Sequence, residues 1–129
     1  MTRFISLEQG LRIARKATGG PIQVRDLGLL EAALLRPQTS MFGRDAYPDL
    51  FSKAAALLHS IVANHPFVDG NKRAAWLTMY VFCAKNGVEI DPADDDEAYD
   101  FVIAIASGKL TEVDEIAEVL RSFAVPSGS

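Results

Sequence analysis

A chain of 129 residues, 49% of them hydrophobic, is long enough to bury one core and too short to bury two. Its net charge of −4 argues against a general nucleic-acid binder, which would carry a basic patch, and no apolar run reaches the ~18 residues needed to cross a bilayer. The single cysteine, Cys83, has no partner for an internal disulfide and the first residues lack a secretory apolar segment, so a cytoplasmic protein with no direct nucleic-acid or membrane partner is expected.

Helical signals follow one another along the chain. Ser6 and Gln9 make a capping box for a helix over residues 7–17, closed by Gly19 and Gly20. Arg25 or Asp26 opens a second helix with Leu27, Leu30 and Leu34 on one side, and Pro37 stops it. Residues 36–49 contain Pro37, Gly43 and Pro48 and are long for a helix connection, which usually takes about 2–8 residues, so they read as a working loop. A third helix covers about residues 50–63, where Leu50, Phe51, Ala54, Leu57, Leu58, Ile61 and Val62 keep the helical rhythm. A fourth and central helix covers about residues 72–85 and ends at Asn86 and Gly87.

Val88, Glu89 and Ile90 are too few to build a sheet. Asp94, Asp95, Asp96 and Glu97 begin a fifth helix that Gly108 ends; acids in a first turn answer the helix dipole and need no metal to explain them. Thr111 with Asp114 begins a sixth, with Ile116, Leu120 and Phe123 inward, and residues 125–129 form a flexible tail. The predicted fold is all-α, a compact single-domain bundle of about six helices over residues 1–129, with its core between about residues 4 and 124.

The densest chemistry lies in the run His65-Pro66-Phe67-Val68-Asp69-Gly70-Asn71-Lys72-Arg73. One segment holds a base, a carboxylate, a glycine turn, an amide and two cations, and a nearly all-apolar helix follows it. Free N–H groups and the positive end of that helix would point into the cluster, which makes it an anion site. His59 is the only other histidine and stands six residues from His65, off its helical face, so a zinc pair is not expected.

At these residues the chain resembles the Fic/Doc family, whose signature is HxFx(D/E)GNxxR or a close variant, and especially the Doc (death on curing) toxins, which tend to read NKR at its end. The resemblance extends over about residues 4–124. It includes Gly19-Gly20, Arg25-Asp26-Leu27-Gly28-Leu29-Leu30-Glu31, Leu35-Arg36-Pro37-Gln38, Lys53-Ala54-Ala55-Ala56-Leu57-Leu58 and Asn86-Gly87-Val88.

Phosphate chemistry then gives each motif residue a task. A neutral imidazole on His65 can accept the proton of a target hydroxyl, which makes it the candidate general base. Asp69 offers one hard oxygen ligand, matching the habit of Mg2+ of using one or two carboxylates with phosphates and waters. Gly70 lets the chain turn sharply near phosphate oxygens, and Asn71 either donates its amide to the ligand or stabilises the loop. Lys72 and Arg73 neutralise the polyphosphate of ATP, with His65, Asp69 and Arg73 as the catalytic set. Pro66 and Phe67 fix the loop shape and pin it to the core.

Two departures within the family point to one reaction. Members that transfer AMP generally have glycine where Lys72 stands and a second arginine one turn on, where this chain has Trp76. Resemblance to Doc implies a nucleotide bound the other way round, presenting its γ-phosphate. Doc toxins phosphorylate a threonine of elongation factor Tu and stop translation, so that is the implied target. The alternatives are AMP transfer, which the half-motif HPFVDGN also suits, and a catalytically silent binding module.

By the same resemblance, residues 36–49 form a flap beside the active site that aligns the target chain. An inhibitory (S/T)xxxE(G/N) helix is not expected, because Thr111 to Glu115 is followed by Ile116. A separate antitoxin is implied, with a helical segment lying in a groove of the toxin.

Overall fold

The structure, a computed structural model, describes residues 1–126. Six helices carry the fold: α1 (Leu7–Thr18), α2 (Leu27–Leu35), α3 (Leu50–Asn64), α4 (Asn71–Lys85), α5 (Asp95–Ala106) and α6 (Val113–Phe123). Among the described residues no helix is long and apolar enough to cross a membrane.

Local chemistry explains most of these boundaries. The Ser6 hydroxyl accepts from the Gln9 N–H at 3.2 Å and the Gln9 side chain accepts from the Ser6 N–H at 3.0 Å, the expected capping box. Gly19, at φ 78, then ends α1 in the left-handed conformation. Asp26, Asp49 and Asp94 cap α2, α3 and α5 in the same way, each taking an N–H three residues on. Such a cap stabilises its helix by about 1 kcal/mol.

The centre of the bundle is α3, not α4 as the sequence suggested. From Ser52 to Ser60 every α3 residue except His59 is buried, and the helix packs against α2, α4, α5 and α6. A helix apolar all round belongs inside, while α4 buries Ala74, Ala75, Thr78, Met79, Phe82 and Cys83 and leaves its other side partly open. Buried side chains of all six helices join one core. Trp76 ties α4 to α5 and α6, its ring lying edge-on to Phe101 at 6.4 Å and to Phe123 at 6.5 Å.

Helix α2 presents Leu30 and Leu34 to the core, while Leu27, its first residue, is exposed. It ends at Leu35, and Pro37 sits just beyond it inside a 3-10 turn, Arg36–Gln38, where its fixed φ is tolerated. Two expectations are corrected. Helix α6 starts at Val113 with no side-chain cap, so Thr111 and Asp114 do not open it together. Finally, β3 (Val88–Ile90) pairs antiparallel with β4 (Ala124–Pro126), Glu89 facing Val125. Three residues too few for a sheet alone suffice once the chain end returns beside them. Of the expected tail, residues 127–129 lie outside the described residues.

The long connection is a small hairpin. Strands β1 (Ser40–Met41) and β2 (Arg44–Asp45) pair through a two-residue turn in which Phe42 (φ 54) and Gly43 (φ 76) are both left-handed. Phe42 is fully exposed at its tip. Two short strands are marginal by themselves, so the foot is held by α3. The nearly buried Lys53 ammonium donates to Asp45 at 3.2 Å and to the Tyr47 carbonyl. Arg36 donates to the Tyr47 hydroxyl at 2.9 Å and to Ser60 at 2.8 Å.

Candidate active site

The motif runs from the end of α3 to the start of α4. His65 is the residue that leaves α3, at φ 49 and ψ 59, a left-handed conformation that costs a residue with a Cβ about 1–2 kcal/mol. The turn sends the imidazole out of the bundle into solvent. Its Nδ1 lies 3.2 Å from the Ala63 carbonyl. A carbonyl oxygen only accepts, so this contact favours the tautomer with the proton on Nδ1 and the lone pair on Nε2. That is the tautomer a general base on Nε2 requires.

The loop after it is fixed by two clasps. Pro66 and Phe67 are buried, as expected of residues that hold the loop to the core. The Asn71 side chain closes the first clasp, its Oδ1 accepting from the Phe67 N–H at 2.9 Å and its Nδ2 donating to the Phe67 carbonyl at 2.9 Å. Of the two roles open to Asn71, loop stabilisation is therefore the one its geometry engages. Residues 23–26 make the second clasp, running antiparallel to the loop. Val24 bridges Phe67, the Val68 N–H donates to the Gln23 carbonyl at 3.0 Å, and the Arg25 and Asp26 N–H groups donate to the Pro66 carbonyl at 2.7 and 3.0 Å.

Gly70 begins α4 at φ 78, with no side-chain cap. A Cβ there would meet the Thr18 methyl at 2.5 Å, so glycine is needed both for conformation and for close approach to the end of α1. The first turn of α4 holds Lys72 and Arg73, both exposed, and no acid. Two cations at the positive end of a helix dipole repel it and each other unless an anion sits between them.

Asp69 stands beside this turn. One carboxylate oxygen accepts from the Gly70 N–H at 2.8 Å, which leaves the second for a cation. Among the described residues no three of His, Cys, Asp and Glu gather in one place. A lone carboxylate oxygen of this kind suits Mg2+, which takes one or two carboxylates with phosphates and waters.

His65, Asp69, Gly70, Asn71, Lys72 and Arg73 all line one open cleft of about 810 Å³. Its other wall is different. Trp76 and Leu77 of α4 face Ala98, Tyr99, Val102 and Ala106 of α5, with Asp95 at the rim. The cleft therefore has a cationic end and an apolar end, one helical turn apart along α4. Thr111 and Glu115 do not line it; they border a separate hollow with Arg36 and Tyr47.

Two titratable groups outside the cleft are shifted by burial. His59 Nδ1 sits 3.0 Å from Arg36, and burial, helped by the Arg36 charge and opposed by Glu112, lowers its pKa below the usual histidine value. Burial pushes the Cys83 thiol up to about 12, so it is no nucleophile.

Sequence reasoning missed two residues of the site. Thr18, which closes on Gly70, carried no signal beyond its place before Gly19. Arg25 was read as a helix start and as part of the family pattern, with no role at the site, yet its guanidinium donates to the His65 carbonyl at 2.7 Å and to the Asn64 carbonyl at 2.7 Å.

The Fic/DOC family model matches residues 4–83, a stretch that contains the whole motif. The chain is 45% identical over 125 residues to a protein of Mycolicibacterium smegmatis named Toxin Doc, covering 96% of this chain and 95% of that one. It is 32% identical over 103 residues to Protein kinase doc of Escherichia phage P1, covering 80% of this chain and 79% of that one.

Proposed function

The chain belongs to the Fic/Doc family, and we propose that it is the toxin of a toxin-antitoxin module that transfers the γ-phosphate of ATP to a hydroxyl of a target protein. The observation that carries this reading is the cleft itself, where His65, its Nδ1 beside the Ala63 carbonyl, shares one lining with the uncapped, doubly cationic start of α4. The names of the two relatives, one a toxin and one a protein kinase, support it.

In this reading the polyphosphate lies against the first turn of α4, held by its N–H groups, Lys72 and Arg73. The nucleoside extends onto the Trp76 and Tyr99 wall, whose apolar surface suits a base better than a phosphate. Nothing cationic stands at position 76 to hold the terminal phosphates at that end, which favours γ over α as the reacting phosphorus. Asp69 would hold Mg2+, which supplies charge neutralisation of the phosphates when bound.

The target hydroxyl donates its proton to His65 Nε2 as its oxygen attacks the γ-phosphorus. The bond from that phosphorus to the β–γ bridging oxygen breaks and ADP leaves. The flap hairpin aligns the target chain by its exposed edge and the Phe42 side chain. A threonine of elongation factor Tu in the cytoplasm is the leading target, and an antitoxin segment folded as a helix in a surface groove silences the toxin.

Expression without antitoxin tests the whole reading. The parent is expected to arrest growth by blocking translation and a folded His65→Ala variant is not; equal toxicity of the two would remove His65 as the base. Calorimetric titration with ATP tests the metal separately. Affinity is expected to rise with Mg2+ in the parent and much less in Asp69→Ala, while identical affinity in EDTA, in Mg2+ and in the variant would remove Asp69 from the metal site.

A further inference from the structure

The end of α3 poses a physical problem that the motif does not solve. His65 adopts a left-handed conformation without being glycine, and α3 finishes there with the carbonyls of its last turn pointing at the loop. A histidine in that conformation relaxes into the extended region unless its surroundings hold it. Such a relaxation would swing the imidazole away from the cleft and break the contact from Nδ1 to Ala63.

Arg25 supplies the hold. Its Nε donates to the His65 carbonyl at 2.7 Å and its Nη2 to the Asn64 carbonyl at 2.7 Å, a planar fork spanning two successive peptides at the turn. Its positive charge lies at the negative end of the α3 dipole. Its own N–H donates to the Pro66 carbonyl at 2.7 Å, so main chain and side chain grip three consecutive residues, the last of α3 and the first two of the motif. Ordering the exposed Arg25 side chain costs rotamer freedom, which its two charge-assisted hydrogen bonds offset.

We infer that Arg25 is a positioning residue that fixes the backbone and ring tautomer of His65, so that catalytic competence of the base depends on a residue forty positions before it. The inference rests on the reading of His65 as the general base. Arg25 touches neither nucleotide nor target hydroxyl and acts through His65 alone. An ordinary helix cap would affect only how much protein is folded.

Purified parent, Arg25→Ala and Arg25→Lys, all confirmed folded by circular dichroism, separate the two. In γ-phosphate transfer to elongation factor Tu, Arg25→Ala is expected to lower kcat about tenfold to a hundredfold, as misplacing a catalytic group does, with KM for ATP unchanged. Arg25→Lys is expected to recover part of the loss, because an ammonium reaches one carbonyl but not both. Nitrogen NMR of the two imidazoles at about pH 8, where histidine is neutral, reads the tautomer directly. The signals are assigned with His59→Gln. The parent His65 is expected to carry its proton on Nδ1 and the Arg25→Ala variant to show a mixture of both tautomers. Parent-like kcat, a loss confined to ATP affinity, or an unchanged ring signal in Arg25→Ala would each overturn the inference. If the parent itself transfers no phosphate, the kinase reading fails, and the ring signals alone then decide whether Arg25 holds His65.

Discussion

At the scale of single residues, the motif divides into groups that face the cleft and groups that hold them there. Gly70 shows how strict the second kind is. Gly70→Ala places a Cβ in the left-handed region, costing about 1–2 kcal/mol, and drives it against the Thr18 methyl 2.5 Å away. A lower urea midpoint is expected, with partial recovery in the Gly70→Ala, Thr18→Ser double variant, which removes that methyl; a single variant as stable as the parent would contradict both arguments. His59 gives a pH dependence. Its folded pKa is lowered, so below about 6.5 the unfolded chain takes up a proton that the folded one resists, and the unfolded state gains. The His59 contribution is therefore whole above that pH and is lost as pH falls toward the folded value. Unfolding titrations of the parent and His59→Gln are expected to diverge below about pH 6.5 and run parallel above it; divergence only on the alkaline side would mean the sign is wrong. How legible these roles were varies with chemistry. The tasks proposed for His65, Asp69, Lys72 and Arg73 follow from residue type, because a base, a metal ligand and a cation pair are what phosphate transfer needs. The Asn71 clasp on Phe67 and the Thr18 contact with Gly70 depend on which chain segments meet, and a sequence does not print that.

At the scale of elements, the starts of α1, α2 and α5 were readable because their signals are local, a side chain and an N–H three residues on, while α3 was readable from its apolar rhythm alone. Helix α6, without a side-chain cap, drew its false start from Thr111 and Asp114. Sheet pairing between Val88–Ile90 and Ala124–Pro126 was unreadable for the opposite reason, since each strand makes sense only beside the other. The flap hairpin lies between these cases. Its turn residues Phe42 and Gly43 are local, but its foot depends on Lys53 and Arg36 reaching from elsewhere. Lys53 is almost fully buried while Asp45 is largely exposed, so the two ends of their ion pair are not equivalent. Asp45→Ala leaves an ammonium buried with only the Tyr47 carbonyl and is expected to cost about 1–3 kcal/mol. Lys53→Met removes the charge and keeps the volume, and is expected to cost less. Both variants should speed hydrogen exchange of the Ala46 amide, which donates to the Thr39 carbonyl at 2.8 Å across the hairpin foot. If Lys53→Met proved the more damaging of the two, the ion pair would be a net source of stability and the desolvation argument would fail.

At the scale of the molecule, α3 connects the parts. Lys53, near its start, holds the β1–β2 hairpin, and His59 and Ser60 meet Arg36 at the hairpin foot. His65 ends it, and Arg25 grips that end. The helix buried most deeply thus carries the proposed base and the proposed target guide on one rigid element, while α4 carries the proposed phosphate site. Composition and periodicity made an all-α bundle legible, yet pointed to α4 as its centre because the apolar run after the motif is the more conspicuous one. The cleft polarity along α4, cationic at Lys72 and Arg73 and apolar at Trp76, underlies the proposed choice of γ- over α-phosphate. ATP labelled at one phosphate or the other, incubated with this protein and elongation factor Tu, tests that choice most directly. The γ label is expected on a threonine of the target with ADP released. Transfer of the α label with release of pyrophosphate would contradict it.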